Sequence, residues 1–256
     1  MSKTLSLFYW NGHPNAGDYF GHYFCSKHSI EVTWTNNQPE YAIVGSILNS
    51  ARIDNSHIWG CGFHDAAENR PRKKHLIHAV RGKLSAKILG LPNITLGDTG
   101  ILASTVFNGN GITKTHRFGI ISHYVDTTYF KENAPRDFKI IDMGTNDVET
   151  VLRDINCCEF VFSSSLHGII FAHSFGIPAM HIIHNPLHDP HQFKFHDYYS
   201  PFHLEYVPKP ISEVPFFSTK ELGLLYAAKS RFHPSHDEIV TMQQQLLNAC
   251  PFKELL

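Results

Sequence analysis

Residues 159–179 read EFVFSSSLHGIIFAHSFGIPA, and this stretch predicts a strand, a turn and a helix in direct succession. The apolar run at 160–162 fits a short buried strand, and residues 166–175 have the composition of a helix packed against its neighbours. Gly176 and Pro178 indicate where that helix ends. The stretch therefore predicts one strand-turn-helix unit of an α/β protein.

The start of the predicted helix is suited to an anion. The first turn of a helix leaves backbone N–H groups without partners and carries the positive end of the helix dipole. Ser163, Ser164 and Ser165 offer capping hydroxyl groups there, and Leu166 and His167 follow them. The same residues also fit an ordinary structural unit in which serines cap the helix and the histidine bonds locally. The stretch alone leaves both interpretations open.

The composition is that of a folded globular protein without a marked charge preference. The 256 residues are 42 % hydrophobic and carry a formal net charge of −1. This balance disfavours a nucleic-acid-binding protein, because such proteins usually carry a strong basic stripe. The basic run RPRKK at 70–74 is short and is better interpreted as a solvated loop than as a nucleic-acid-binding patch.

The cysteines and the N-terminal residues favour a cytoplasmic protein. The five cysteines are odd in number and form no C-x-x-C pair, which disfavours a disulfide framework and a zinc ribbon. No apolar run reaches the roughly 18 residues of a membrane-spanning helix, and the N-terminal residues lack the pattern of a signal peptide. We therefore expect reduced thiols and a cytoplasmic location.

Histidine is unusually abundant, with 19 copies, and five of them are clustered in the sequence. Neutral imidazole is a common metal ligand, so the cluster raises the question of a metal site. Pro186 and Pro190 interrupt it, and no H-E-x-x-H pattern occurs, so we expect no metal site. The clustered residues are His181, His184, His188, His191 and His196.

Short apolar runs alternate with helical patterns along the chain, which favours an α/β architecture with parallel sheets. The pattern restarts after a Gly-rich stretch at 108–111 and predicts two Rossmann-like domains, residues 1–112 and 113–256. We expect the active site in the cleft between them and a last helix that packs back on the first domain. The predicted strands cover residues 5–10, 41–44, 58–63, 76–80, 117–122, 139–143, 160–162 and 179–183, and the predicted helices begin near residues 18, 147, 166 and 235.

A polar turn precedes the first predicted helix, which Asp18 is expected to cap. Gly17 permits close approach of the backbone, and Asn15 and Asp18 can bond either the backbone or a sugar hydroxyl. Asp98 lies in a similar turn, at 97–100. Local capping is the alternative interpretation for each of these turns.

Two further polar residues follow predicted strands. Arg81 ends an apolar strand and precedes a glycine, a position where burial of its guanidinium group would be costly without an anionic partner. It therefore binds either an anionic ligand or a carboxylate of the protein. His123 also follows a strand and is either an acid/base or a structural polar residue.

Seven short motifs follow one another in a specific order along nearly the whole chain: NAGD at 15–18, VGSIL at 44–48, WGCGF at 59–63, VRGKLS at 80–85, GDTGIL at 97–102, GIISHYVD at 119–126 and SSSLHGIIFAHSFGIPA at 163–179. Together they resemble the polysaccharide pyruvyl transferase family. His167 matches the histidine of the family's usual R-L-H triplet, whereas Ser165 stands at the position of its arginine.

The resemblance implies a fold like that of GT-B glycosyltransferases and a transfer of pyruvate from phosphoenolpyruvate. Two hydroxyl groups of one sugar in a polysaccharide precursor would receive the pyruvate and form a cyclic ketal. Phosphoenolpyruvate is then a substrate, and no cofactor or metal is expected. The acceptor would be a sugar or a lipid-linked oligosaccharide, and a lipid-linked acceptor would bring the protein to a membrane surface.

The resemblance also assigns roles to the candidate residues. Asn15, Gly17 and Asp18 would bind the acceptor. The anionic donor requires cations and N–H groups, and imidazole exchanges protons near neutral pH. The implied donor-binding residues are Arg81, Ser163, Ser164, Ser165, Leu166 and His167, and the implied catalytic residues are His167, Arg81, His123 and, as a supporting base, Asp98.

Two other functions remain open at this point. A glycosyltransferase of the same fold would use a nucleotide sugar and would need a ribose-binding carboxylate in the second domain, for which Glu205 is a candidate. A non-catalytic subunit of a polysaccharide-assembly complex would explain why Ser165 replaces the arginine.

Overall fold

The computed structural model describes residues 4–66, 76–185, 192–211 and 219–256. The basic run at 70–74 lies outside the described residues, and so do Pro186, His188, Pro190 and His191. The described chain forms two sheets of parallel strands with helices between them. The predicted α/β class with parallel sheets is thus confirmed.

The first sheet is formed by residues 4–96. Its strands are β1 (Thr4–Leu7), β2 (Glu31–Trp34), β3 (Tyr41–Ala42), β4 (His57–Cys61), β5 (Leu76–Val80) and β6 (Thr95–Leu96), and its helices are α1 (Ala16–Lys27) and α2 (Lys83–Leu89). The spatial order is β2-β1-β3-β4-β5-β6. Because the strand order reverses at β1, a crevice is expected beyond the carboxyl ends of β1 and β3.

The second sheet follows a 3-10 helix at Thr99–Leu102 and α3 (Ala103–Val106). Its strands are β7 (His116–Ser122), β8 (Lys139–Asp142), β9 (Cys158–Ser163), β10 (Ala179–Ile183) and β11 (Lys209–Pro210), and the helices are α4 (Thr127–Asn133), α5 (Val148–Asn156), α6 (Leu166–Ser174), α7 (Phe193–Tyr199), α8 (Thr219–Ala227) and α9 (His236–Asn248). The order β11-β10-β9-β7-β8 repeats that of the first sheet, with its reversal at β7. Its crevice is therefore expected beyond the carboxyl ends of β7 and β9.

The stretch at 159–179 lies in the centre of the second sheet. β9 pairs with β7 on one side and with β10 on the other. Phe160, Val161 and Phe162 are fully buried, as expected for a parallel strand that is covered on both faces. All residues of α6 are buried as well, because it packs between the second sheet and the 3-10 helix at Thr99–Leu102.

One continuous apolar core joins the two sheets. It contains Leu5 and Trp59 from the first sheet, Ile121 and Val161 from the second, and most of α6. The first sheet ends at Leu96 and the second begins at His116, so the predicted domain boundary near residue 112 falls in the connecting segment. The division into two domains stays a prediction.

The last helix, α9, packs on the first sheet. The indole Nε1 of Trp59 in β4 donates a hydrogen bond of 2.9 Å to the carbonyl of Leu246. Gly97 lies against the side chains of Leu246 and Met242, and a Cβ there would approach each of them to 2.9 Å. The C-terminal helix is therefore part of the support of the first sheet.

Some sequence-based boundaries were wrong. α1 begins at Ala16 and is capped by Asn15, whose side-chain oxygen accepts bonds from the N–H groups of Gly17 and Asp18. Asp18 thus lies in the first turn instead of capping the helix. The edge strand β2 and helices α2, α4, α7 and α8 were not predicted, since these segments are short or partly exposed and show weak periodicity.

Removal of one buried contact of α9 tests its packing on the first sheet. We expect Leu246→Ala to lower the free energy of unfolding by about 2–5 kcal/mol, because a fully buried side chain is replaced by a cavity. Val240→Ala on the exposed side of the same helix should change it by less than about 0.5 kcal/mol. Urea unfolding of the full chain measures both values, and equal losses would contradict the packing of α9.

Candidate active site

A pocket of about 280 Å³ lies where the crevices of the two sheets meet. Its wall comes from loops and helix starts that follow β1, β3 and β4 in the first sheet and β7 and β9 in the second, together with α7. We call it the shared pocket. It is lined by Trp10, Asn15, Asp18, Ser46, Ile47, His64, His123, Tyr124, Ser165, Leu166, His167 and Lys194.

The three serines before α6 have different roles. The hydroxyl of Ser163 lies within hydrogen-bonding distance of the Ile121 and Ser165 carbonyls, at 3.1 and 2.8 Å, and accepts from the Ser165 N–H. The Ser164 hydroxyl accepts from the backbone N–H of His123 at 3.0 Å. These two serines fix the turn and join β9 to β7, and neither lines the shared pocket.

Ser165 occupies the cap position of α6 without capping it. Its side chain makes no hydrogen bond to the N–H groups of the first turn, so the expected serine cap is absent. Ser165, Leu166 and His167 nevertheless all line the shared pocket. The positive end of the α6 dipole therefore faces a space that an anion can occupy.

The imidazole of His167 lies between the two sheets. Gly17 in the first turn of α1 packs directly against the ring, and a Cβ at this position would lie 2.2 Å from Nδ1. Only glycine permits this approach, as the sequence suggested. Asn15, Gly17 and Asp18 are thus brought together with His167, although they are 150 positions apart in the chain.

Asp98 is fully buried beneath His167. Its Oδ1 accepts the N–H of Gly100 at 2.9 Å and lies 3.7 Å from Nε2 of His167, slightly beyond hydrogen-bonding distance. Within the described residues, neither Nε2 of His167 nor Oδ2 of Asp98 has a hydrogen-bond partner. Because Oδ1 of Asp98 lies close to this nitrogen, the two side chains form a candidate carboxylate–imidazole pair, in which Asp98 orients the ring.

Asp18 has an unusual protonation equilibrium. Burial raises the pKa of its carboxyl group to about 6, and the negative charge of Asp98 acts in the same direction. The positive charges of His167 and Lys194 lower that pKa in part. Asp18 can therefore hold or release a proton near neutral pH, as an acid/base group in an active site requires.

Lys194 brings a permanent cation to the shared pocket. It lies in the first turn of α7 and lines the wall. No sequence pattern marked α7, so this residue was missed. Ser46, Ile47 and Tyr124 were also missed, although they lie within the VGSIL and GIISHYVD motifs. Trp10 and His64 were missed too, although Trp10 ends a predicted strand and His64 follows one.

Arg81 is placed differently from the prediction. Its guanidinium group is fully buried, lies 3.0 Å from the Asp197 carboxylate and bonds the hydroxyl of Ser46 at 2.7 Å and the carbonyl of Phe63. Asp197 in turn accepts bonds from the N–H and hydroxyl of Ser85. Arg81 does not line the shared pocket, so the structure does not place it on the donor; it fixes α7 to the first sheet instead.

His123 lines the shared pocket, and its ring centroid is 4.4 Å from that of Tyr124. The clustered histidines described by the structure serve packing. His181 bonds the Tyr206 hydroxyl at 2.6 Å and stacks on Phe195, and burial lowers its pKa to about 3. Across the described ranges, no group of three His, Cys, Asp or Glu side chains is arranged to hold a metal ion.

The comparisons with known proteins identify the family of the chain. The model of the polysaccharide pyruvyl transferase family matches residues 41–186, more than half of the chain. The uncharacterized protein L143 of Acanthamoeba polyphaga mimivirus is 34 % identical over 220 residues, which cover 79 % of this chain and 76 % of that protein. The succinoglycan biosynthesis protein ExoV of Rhizobium meliloti (strain 1021) is 24 % identical over 177 residues, which cover 66 % of this chain and 55 % of ExoV.

The Arg81–Asp197 pair makes a prediction about stability. We expect Arg81→Met to lower the free energy of unfolding by about 3–5 kcal/mol, because it leaves a buried carboxylate without its counter-ion. Adding Asp197→Asn removes that charge and should recover part of the loss. Lys27→Ala breaks the exposed pair with Glu149 and should have an effect below about 1 kcal/mol. Urea unfolding measures all four proteins, and a double variant no more stable than Arg81→Met would contradict this account.

The raised pKa of Asp18 predicts a pH dependence of stability. The native state binds the Asp18 proton more tightly than the unfolded chain, so ionisation of Asp18 destabilises the native state as pH rises from about 4 to about 6. Asp18→Asn should therefore be more stable than the wild type at pH 7.5, with the difference vanishing near pH 3.5. Asp137→Asn, at an exposed position, is the matched control and should show no such trend in denaturant midpoints.

Proposed function

Because the chain belongs to the polysaccharide pyruvyl transferase family, a family of transferases of polysaccharide biosynthesis, we propose that it transfers pyruvate from phosphoenolpyruvate to a sugar. Two hydroxyl groups of one sugar residue in a surface or exopolysaccharide precursor would form a cyclic ketal with the pyruvate. One observation carries the proposal: the uncapped start of α6, His167, Lys194 and the carboxyl group of Asp18 meet in one pocket, and the buried Asp98 lies next to His167.

The donor would lie at the start of α6. Phosphoenolpyruvate carries a phosphate and a carboxylate, and such groups bind to helix N-termini and to cations. The N–H groups of Leu166 and His167, the hydroxyl of Ser165 and the ammonium group of Lys194 supply donors of both kinds. Lys194 takes the role that the family arginine would have at the position of Ser165.

Asp18 and His167 would exchange the protons of the reaction. Asp18, as a carboxylic acid, gives a proton to the methylene carbon of phosphoenolpyruvate, and the neighbouring carbon is attacked by the first sugar hydroxyl, whose proton passes to His167. The phosphate group then leaves with the proton of the second hydroxyl, which closes the ketal. Asp98 faces Nε2 of His167 and orients the ring for this transfer. His123 is the second candidate for proton transfer.

The proposal includes an arrangement of two Rossmann-like domains like that of GT-B enzymes, with the shared pocket as the cleft between them. It is supported by strand orders that match over five strands and by a wall that takes residues from both sheets. The acceptor is proposed to be a free or lipid-linked saccharide of the cytoplasm. Within the described part of the chain, no helix is long and apolar enough to cross a membrane.

A nucleotide-sugar glycosyltransferase is less well supported. Glu205, the candidate ribose ligand, does not line the shared pocket but a separate cavity of about 670 Å³. Its carboxylate lies 3.9 Å from the guanidinium group of Arg231, and both side chains are largely exposed. This arrangement provides no buried acceptor for a ribose hydroxyl.

Phosphate release tests the proposed reaction. The protein should release inorganic phosphate from phosphoenolpyruvate only with a suitable saccharide, whose mass should rise by one pyruvate less one water. We expect His167→Ala and Asp18→Asn each to lower kcat at least about 100-fold, since proton transfer is lost. His236→Ala, at an exposed histidine outside the shared pocket, is the control and should keep the wild-type rate.

Turnover of a nucleotide sugar without any phosphate release from phosphoenolpyruvate would overturn the proposal. A non-catalytic subunit is tested separately by thermal unfolding. Phosphoenolpyruvate well above its dissociation constant should raise the midpoint of the intact protein. No such rise, together with no turnover, would contradict a donor site in this chain.

A further inference from the structure

A group of aromatic rings forms part of the wall of the shared pocket. The rings of Trp10 and Tyr124 are stacked, with centroids 5.9 Å apart and planes at 18°, and His13 stacks on Tyr124 at 4.5 Å and 13°. We call Trp10, His13 and Tyr124 the aromatic shelf. Two of its members come from the loop after β1 and the third from the loop after β7, so the shelf spans both sheets.

The indole ring of Trp10 is more accessible to solvent than the other two indole rings of the chain. Trp34 is half-buried and Trp59 is fully buried, whereas 37 % of Trp10 is exposed. Exposure of a large apolar ring in a concave, otherwise polar pocket indicates a ligand with an apolar surface. The aromatic shelf is not explained by the binding of the donor, whose charged groups need N–H groups and cations.

The shelf is fixed before any ligand binds. Gly12 packs against the indole of Trp10, and a Cβ at Gly12 would lie 2.7 Å from a ring carbon. A Cβ at Gly144 would lie 3.2 Å from Cβ of Tyr124 and 3.5 Å from Cε1 of His13. The backbone at these two glycines thus supports the rings. Little conformational entropy is therefore lost in ordering the rings when a ligand binds.

The neighbouring polar groups suggest the chemistry of the ligand. Asn15, Asp18, Ser46 and His123 line the same pocket and offer both donors and acceptors. A pyranose ring has a face of C–H groups and a rim of hydroxyl groups, and its C–H groups carry partial positive charge that favours the negative face of an aromatic ring. The exposed part of the Trp10 indole and the polar groups beside it therefore match the two surfaces of one sugar.

We propose that the aromatic shelf is a saccharide-binding subsite, on which the acceptor sugar stacks through its C–H face with its hydroxyl groups directed toward Asp18 and His167. The inference rests on the proposed function for what happens to the sugar, but its binding can be measured without turnover. Trp10 then determines which sugars are accepted, because a face with an axial hydroxyl group cannot lie flat on its indole ring.

Saturation-transfer NMR without phosphoenolpyruvate tests this binding. The saccharide probes are methyl β-D-glucopyranoside, methyl β-D-galactopyranoside and methyl α-D-mannopyranoside. Uridine is added as a probe with a nucleobase, which could also stack on an aromatic ring. We expect saturation of the C–H protons on one face of at least one of the saccharides. Trp10→Ala should weaken its binding at least about 10-fold, and Trp10→Phe should restore part of the loss because the ring is kept.

Tyr129→Ala is the matched control. Tyr129 stacks on His184 at 3.8 Å but does not line the shared pocket, so its loss should leave saccharide binding unchanged. The thermal midpoint of Trp10→Ala is measured in parallel, and we expect it to stay within a few degrees of the wild type, since the side chain is exposed.

The outcomes separate this inference from the proposed function. Saturation of uridine alone, binding that survives Trp10→Ala, or no binding of any saccharide would each overturn the shelf as a sugar subsite. Sugar binding that depends on Trp10 without phosphate release from phosphoenolpyruvate would support the shelf and contradict the pyruvyl transfer. If both hold, Trp10→Ala should raise the KM of the acceptor more than it lowers kcat.

Discussion

The close contact between Gly17 and the ring of His167 is the constraint on which the site depends. It places the start of α1, at the reversal point of the first sheet, against the start of α6, at the reversal point of the second. A side chain at residue 17 would occupy the position of the imidazole and force the two helix starts apart. Each sheet alone has a crevice, but the contact merges the two crevices into one pocket. Polar residues from both halves of the chain therefore line the same pocket.

The buried Arg81–Asp197 pair serves the same arrangement from outside the pocket. α7 carries both Asp197, which holds it to the first sheet, and Lys194, which lines the shared pocket. Because Arg81 also bonds Ser46, one guanidinium group orients elements on two sides of the wall. The donor contact expected of Arg81 stays a prediction; in the structure its guanidinium group bonds groups of the protein and holds α7 in place. Lys194, about one turn earlier in that helix, brings a positive charge to the pocket.

The sequence predicted those features that depend on local rules. Asn15, Asp18, His123 and Ser165 to His167 meet in one pocket because carboxyl ends of parallel strands lie at one edge, whatever the details of the fold. For Arg81 the physics was correct, since a buried guanidinium requires an anion, but the anion lies 116 positions further along the chain and no local pattern identifies it. Lys194 was missed because its helix has no marked periodicity. The expected serine cap is absent, since the hydroxyl groups of Ser163 and Ser164 bond β7 and the residue that follows it.

Two carboxylates next to the proposed donor site would repel an anionic donor. The raised pKa of Asp18 reduces this repulsion, because a protonated carboxyl group carries no charge. Burial already favours its neutral form. An anionic donor at the start of α6 adds negative charge close to Asp18, and a like charge raises the pKa of a carboxyl group further. Donor binding would thus keep Asp18 protonated near neutral pH, which removes the repulsion and supplies the proton that the methylene carbon needs. Asp98 remains beside the imidazole and orients it. In the proposed reaction, the two carboxyl groups therefore have different roles: Asp18 holds a proton next to the donor, and Asp98 positions His167.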